Sequence, residues 1–219
     1  MKPLLYLETT IPSYLTSKPS RDLIVAARQR TTLDWWLRRQ HDFQVFVSQI
    51  VLDEAAEGDR QAAAARLAAI EVVPLLAVND EVISLAQMLL RQRVLPRKAT
   101  RDAAHIAVSA VHGMHFLLTW NCAHLANAEI FDAVEAVCAV AGYKCPINMY
   151  ANRVVGGIAM AREKKTNGDP IVAEVRKIKD RLAARYGYDA RAMLRDAMRR
   201  QKRQGKKVVT LAKRPISGR

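Results

Sequence analysis

The chain alternates between two hydrophobic periods over its first 150 residues. Residues 3–8 carry the short apolar run Leu4-Leu5-Tyr6-Leu7, which reads as a buried strand and stops on a carboxylate, Glu8. Residues 19–40 place Leu23, Ile24, Ala27, Leu33, Trp36 and Leu37 on one helical stripe with a polar opposite side. "FQVFVSQIV" (43–51) is rich in Val and Phe and opens as a strand. "LDEAAEGDRQAAAARLAAI" (52–70) is helical with a break at Gly58-Asp59, and 71–78 is a brief extended piece. Helices are predicted over 80–94, 98–113 and 127–142, the last two stopped by Gly113 and Gly142. Strands are predicted at 115–120 and 145–150.

Strands separated by helices of this length are the mark of crossover units, so the fold class is α/β with a central parallel sheet. Residues 151–168, with Gly156-Gly157 and Asn167-Gly168, read as a linker or a frayed helix. A helix then runs from Asp169, an N-cap ahead of Pro170, to Gly187, with Ile171, Val175, Ile178 and Leu182 on one stripe. A second helix over 189–205 carries the weaker stripe Met193, Leu194, Ala197 and Met198, and the end, from Lys206, is extended or disordered. Two short helices with such thin stripes bury little alone, so they are expected to pack on the preceding body. The organisation read from the pattern is a body over 1–150, a linker over 151–168 and a small basic helical extension over 169–219.

Charge sharpens that division. The 219 residues hold 35 Lys+Arg against 21 Asp+Glu, a net charge of +14. Residues 1–150 hold 15 of each sign, so the whole excess lies in the last third. A basic segment meets nucleic acid, an acidic surface or an anionic membrane, or is simply a solvated helical face. No run of 18 or more uncharged apolar residues occurs, so no membrane partner by insertion is expected. No secretory leader is read at the N-terminus, and Cys122, Cys138 and Cys145 lack metal-site spacing; reduced thiols in a cytoplasmic protein are expected. No internal repeat is present.

Four polar residues stand where strands end or helices open. Glu8 follows the first strand, Glu54 comes shortly after the second, Asp102 opens the helix "TRDAAHIAVSAVHG", and Asn121 follows "HFLLTW". In a parallel sheet these positions share the carboxyl edge, where ligands gather. Three carboxylates brought together repel unless a cation is shared, and a hard divalent ion, Mg2+ or Mn2+, is the usual solution. Such a site catalyses phosphoester displacement. Thr9, Thr10 and Ser13 are candidates to orient ligand or phosphate.

Each residue also has a plainer reading. Glu8 can sit at a helix N-terminus, Asp53 and Glu54 can be surface charges of a first helical turn, Asp102 can complement a helix dipole behind a Thr100 cap, and Asn121 can be a turn residue. His105, one turn after Asp102, is either a site member or a satisfied structural group, and the same holds for His124. Trp35, Trp36 and Trp120 read as core, and Cys122 has no arrangement around it that suggests a nucleophile.

The stretches "LYLETTIPSYL", "VSQIVLDEAAEGD", "KATRDAAHIAVSAVHGMHFLLTWNCAHLANAEI" and "CAVAGYKCPI" together resemble the PIN-domain family, closest to its VapC-like toxin branch, over about residues 4–147. The resemblance implies a PIN-like α/β/α sandwich. It also implies an RNA-cutting activity with Mg2+ or Mn2+ held by Glu8, Glu54 and Asp102, with Asn121 at the fourth place. Two departures accompany it: Glu8 is one methylene longer than the usual Asp, and Asn121 is neutral. Residues 169–211 resemble the small antitoxin-like partner of such toxins, here joined to the nuclease in one chain, with Met160 marking a former start. An acidic pocket attracts guanidinium groups, so the basic segment is expected to cover the pocket, in cis or across a homodimer, and restrain it. Capture of RNA by the same segment is the competing expectation. An RNA-binding or regulatory module of weak or no activity is the alternative for the body, and a DNA-binding protein a more distant one, since the tail lacks a helix-turn-helix pattern.

Overall fold

The computed structural model describes residues 1–121, 125, 128–149 and 168–211. Most of the segment read as a linker, together with Cys122, His124, Met160 and the last eight residues, lies outside the described residues.

Strand β1 (Leu4–Leu7) sits at the centre of the sheet. Its residues from Leu5 onward are buried, as expected for a parallel strand covered on both faces. It pairs in parallel with β2 (Gln44–Ser48), Tyr6 opposite Phe46, and with β4 (Phe116–Leu118), Tyr6 opposite Leu117. The two-residue β3 (Leu75–Leu76) extends one side, and β5 (Ile147–Met149) the other. A further two-residue strand from the tail, β6 (Val208–Val209), pairs in parallel with β3. The order is β5-β4-β1-β2-β3-β6, all parallel. The chain therefore steps outward from β1 to β3, then returns to the far side of β1 for β4. Right-handed crossovers in the two directions place helices on opposite faces of the sheet. The reversal between β1 and β4 makes a switch point, the crevice where open α/β sheets bind ligands.

The connecting helices are α1 (Thr10–Thr16), α2 (Leu23–Arg38), α3 (Gln49–Ala55), α4 (Arg60–Ala69), α5 (Asp80–Arg91), α6 (Thr100–Val111) and α7 (Ala128–Val140). Helix α1 falls in a stretch to which the sequence reading gave no element. Pro12 falls in its first turn, where a missing N–H costs nothing, so the proline does not forbid the helix. The second strand also ends earlier than expected: after Ser48 the chain is already helical, and Glu54 belongs to α3. The expected break falls at Gly58, whose φ of +90° suits glycine and separates α3 from α4. A β-carbon there would lie 3.3 Å from Glu174 Oε1, so the residue also allows a tail helix to come close. The Thr100 cap is not formed: Thr100 is the first helical residue, and Ala99 precedes it without a side-chain cap.

The tail forms α8 (Pro170–Ala184) and α9 (Ala190–Gln201). Asp169 caps α8 as predicted, accepting from the Ile171 and Val172 amides, and Asp189 caps α9 in the same way. Ile171, Val172, Met193 and Leu194 join the same hydrophobic core as β1 and α6. Each such side chain buried contributes roughly 1.5–3 kcal/mol, which two isolated helices could not gain. Gln201 adds a polar clamp: its side chain donates to the Val78 carbonyl and accepts from the Val78 amide, both at 2.8 Å. Cys138 and Cys145 are free and buried. Among the described residues no helix is long and apolar enough to cross a membrane.

Candidate active site

The carboxyl edge of the sheet delivers its side chains from four separate elements. Glu8 is the residue after β1, and Asn121 follows β4 across the switch point. Glu54 projects from α3, the helix that leaves β2, and Asp102 stands in the first turn of α6. All four are buried. The sequence placed them at one rim, and the distances bring them together.

Glu8 is fixed on one side only. Its Oε2 accepts from the Thr10 amide (2.9 Å), the Thr10 hydroxyl and the Thr119 hydroxyl (2.8 Å). Its Oε1 is buried and receives no aligned hydrogen bond. The nearest cation to Oε1 is Lys179 Nζ of α8, at 2.7 Å. The same ammonium donates to Asp102 Oδ1 at 2.7 Å, and the Asn121 amide donates to that oxygen at 3.2 Å. Lys179 thus bridges the two carboxylates. It is only 5% exposed. Arg176, one turn earlier, reaches Asn121 Oδ1 at 3.5 Å. The expected guanidinium is therefore replaced at the centre by an ammonium. A compact point charge with three donors fits between two carboxylate oxygens where a planar fork would not.

Glu54 is held from within the body. Arg101 Nε donates to its Oε1 at 2.7 Å, the Thr9 hydroxyl donates to its Oε2, and His105 Nε2 lies 3.1 and 3.2 Å from the two oxygens. Burial alone would raise this carboxyl; His105, Lys179 and Arg101 outweigh it and hold it well below the usual carboxylate range. An ionised Glu54 can only accept, so His105 Nε2 carries the proton toward it. The other ring nitrogen, 2.9 Å from the Tyr6 hydroxyl, accepts from Tyr6 in the neutral imidazole, and Tyr6 in turn meets Ser48 at 2.7 Å. Burial would likewise lower Lys179, but Asp102, Glu8 and Glu54 override it and leave the ammonium above the ordinary lysine value.

Thr9 and Thr10 orient carboxylates: one serves Glu54, the other Glu8. Ser13 gives its hydroxyl to the Thr9 carbonyl at 2.8 Å, an intrahelical bond. Asp53 is drawn away from the pocket to Arg200 of α9 at 2.6 Å. Three participants were not assigned from sequence. Arg101 gives no periodic signal. Thr119 is hidden in a strand. Lys179 did leave a trace: with Val172, Val175 and Leu182 at helical spacing, it is a lysine placed on the apolar stripe of its own helix.

Glu8, Glu54 and His105 offer ligand atoms that all lie within 4.8 Å of one another, a group able in principle to hold a metal ion. Glu8 Oε1, which receives no aligned hydrogen bond, and the hard oxygen donors beside it fit a small divalent cation. Asp102 is not one of these three, and the Lys179 ammonium already stands 2.7 Å from Glu8 Oε1. No protein-family model matches the chain, and no curated protein or solved structure shows a significant similarity to it.

Proposed function

We propose that the chain is a divalent-metal-dependent endoribonuclease of the PIN type, held in check by its own antitoxin-like tail. The observation that carries this reading is the Lys179 ammonium, 2.7 Å from both Glu8 and Asp102. Carboxylates are gathered at a switch point from distant elements, and the basic segment supplies the charge that meets Glu8 and Asp102, while Arg101 of the body meets Glu54. Buried carboxylates without a cation would be expelled or protonated. A site that alternates between an ammonium and a metal ion explains both the acids and the tail. Glu8, Asp102 and Glu54 would hold Mg2+ or Mn2+, with Asn121 and His105 beside them. When bound, the ion supplies the charge stabilisation and the acidified water that hydrolysis of an RNA phosphodiester needs. The chain's own residues do the rest: Thr10 and Thr119 aim Glu8, Arg101 and Thr9 aim Glu54, and Lys179 excludes the ion until α8 withdraws.

A second reading is a regulatory RNA-binding module without activity. It is favoured by the internal cations Lys179 and Arg101, which already satisfy the acids, and by the neutral Asn121. One experiment separates the two. The full chain, Lys179→Ala and the double variant Lys179→Ala/Asp102→Asn are incubated with Mn2+ and RNA. Strong cleavage by the single variant, weak cleavage by the parent and none by the double variant are expected. A folded Lys179→Ala protein that leaves RNA intact favours the second reading.

A further inference from the structure

The tail and the body build a second feature together, away from the carboxylates. A groove of about 410 Å³ lies between the end of α5 and the α8–α9 turn. Arg91 and Arg97 line it from the body, and Tyr188 and Asp189 from the tail. Lys98 stands at its edge, with Nζ 5.6 Å from the centre of the Tyr188 ring. Residues 91–98 hold four cations and no acid. Arg91, Arg93, Arg97 and Lys98 are exposed, and none has a carboxylate partner among the described residues.

Local helix chemistry explains only one of them. Arg91 lies in the last turn of α5, where a cation complements the dipole. Arg97 and Lys98 precede the N-terminus of α6, and the N-terminus of α9 also opens at this groove, so positive ends and positive side chains converge. The acids nearby do not balance them. Asp189 is engaged in capping α9, and Asp180 accepts from the Tyr188 hydroxyl at 2.9 Å. Exposed Arg191 and Arg195, one turn apart, carry the charge along α9. Three other tail cations behave otherwise: Lys179, Arg185 and Arg200 each meet a body carboxylate.

We propose that the Arg91–Arg97–Tyr188 groove binds the backbone of single-stranded RNA, so the docked tail helps to capture the substrate whose cleavage it restrains. Unpaired cations beside an aromatic ring are the combination that holds a single strand, through phosphate contacts and base stacking. Lys98 stands four residues before Asp102 and Tyr188 nine residues after Lys179, so the groove-lining segments lead directly into α6 and out of α8, the helices that carry Asp102 and Lys179, and one strand is expected to reach both the groove and the carboxylates. The identity of the polyanion rests on the ribonuclease reading; the groove itself does not.

The test uses the full chain in EDTA and a fluorescent oligouridine of about 12 nucleotides, within the usual footprint of single-strand sites. Binding is followed by anisotropy across a salt series, with melts to confirm that each variant folds. Arg91→Glu/Arg97→Glu is expected to weaken binding at least about tenfold and to reduce the slope of log affinity against log salt by about 1.4, from ~0.7 per phosphate contact. Tyr188→Leu is expected to cost about fivefold or more through lost stacking. Arg21→Glu/Arg38→Glu, an equal charge change beside and on α2, is expected to leave affinity within about twofold. Equal losses in the two charge-reversal pairs overturn the proposal, as does a parent chain that ignores RNA yet binds anionic vesicles or an acidic peptide. EDTA removes cleavage from the measurement. A chain that binds through the groove but never cuts RNA keeps this proposal and loses the nuclease, and an active chain indifferent to the variants does the opposite.

Discussion

Two buried ion clusters tie the tail to the body, and they are mirror images in charge. At the first turn of α8 the tail supplies the carboxylate, Asp169, and the body supplies the cation, Arg28, at 2.7 Å. Nine residues further along, counting from Pro170, the tail supplies the cation, Lys179, and the body supplies the carboxylates of Glu8 and Asp102. Asp169 also accepts from the Tyr14 hydroxyl and caps its own helix, and Arg28 lies 5.3 Å from the centre of the Trp120 ring. The second leaves an oxygen of Glu8 without an aligned donor. At similar depth, one cluster joins a guanidinium to a carboxylate that also caps its own helix, and the other joins an ammonium to two carboxylates; the first is expected to act as a fixed anchor and the second as a contact that a competing ion could take over.

That contrast breaks most readily at the anchor. Asp169→Ala removes a helix cap and the carboxylate that pairs with buried Arg28, so a loss of about 3–5 kcal/mol is expected by urea denaturation. A loss no larger than that of a surface ion pair would erase the distinction. Lys179→Met keeps the bulk of the side chain and leaves the acids uncompensated, so about 2–3 kcal/mol is expected in EDTA, with at least half recovered in Mn2+. Asp169→Ala should regain nothing from the metal; equal rescue of the two variants in thermal melts would place the ion elsewhere.

The pH response sharpens the comparison further. Glu54 has a lowered folded pKa, so its contribution is complete above its unfolded value, about 4.3, and is lost as pH falls toward the folded one. Lys179 is raised, so its contribution is complete below about 10.4 and is lost only as pH climbs through its folded value. Melting temperature should therefore fall at both ends, and Lys179→Met should flatten the alkaline limb. The smallest effect belongs to the uncharged anchor: Gln201→Ala gives up both bonds to Val78 and should cost about 1–2 kcal/mol, independent of metal and of pH between those limits.

The legible part of the molecule was whatever repeats locally. The apolar run of β1 and the caps at Asp169 and the Gly58 break left clear marks, because period, cap chemistry and glycine freedom are properties of a few adjacent residues. Helix α1 was missed because it has only seven residues and carries Thr10, Pro12 and Ser13 near its start, a turn-like composition, so only packing against the rest of the body decides for the helix. Glu8, Glu54, Asp102 and Asn121 were read at one rim from strand ends and helix starts; the structure links Asn121 to Asp102 directly, Asp102 to Glu8 through Lys179, and brings Glu54 close to Glu8 beside His105. Their partners were not legible. Lys179 meets Glu8 across 171 positions of chain, and nothing in either neighbourhood names the other. The anchor at Arg28 was invisible for the same reason: an arginine on a surface helix shows no local sign that it will be buried.

The strand β6 gives the tail a further hold, since Val208–Val209 lies along the outer edge of β3. A tail that left the body would uncover the carboxylates and, in the same movement, a row of unpaired backbone amides and carbonyls on β3. Such an edge accepts any extended chain offered to it. Unmasking the pocket and acquiring a tendency to add foreign strands are therefore two faces of one event, and the liberated body would be the stickier species.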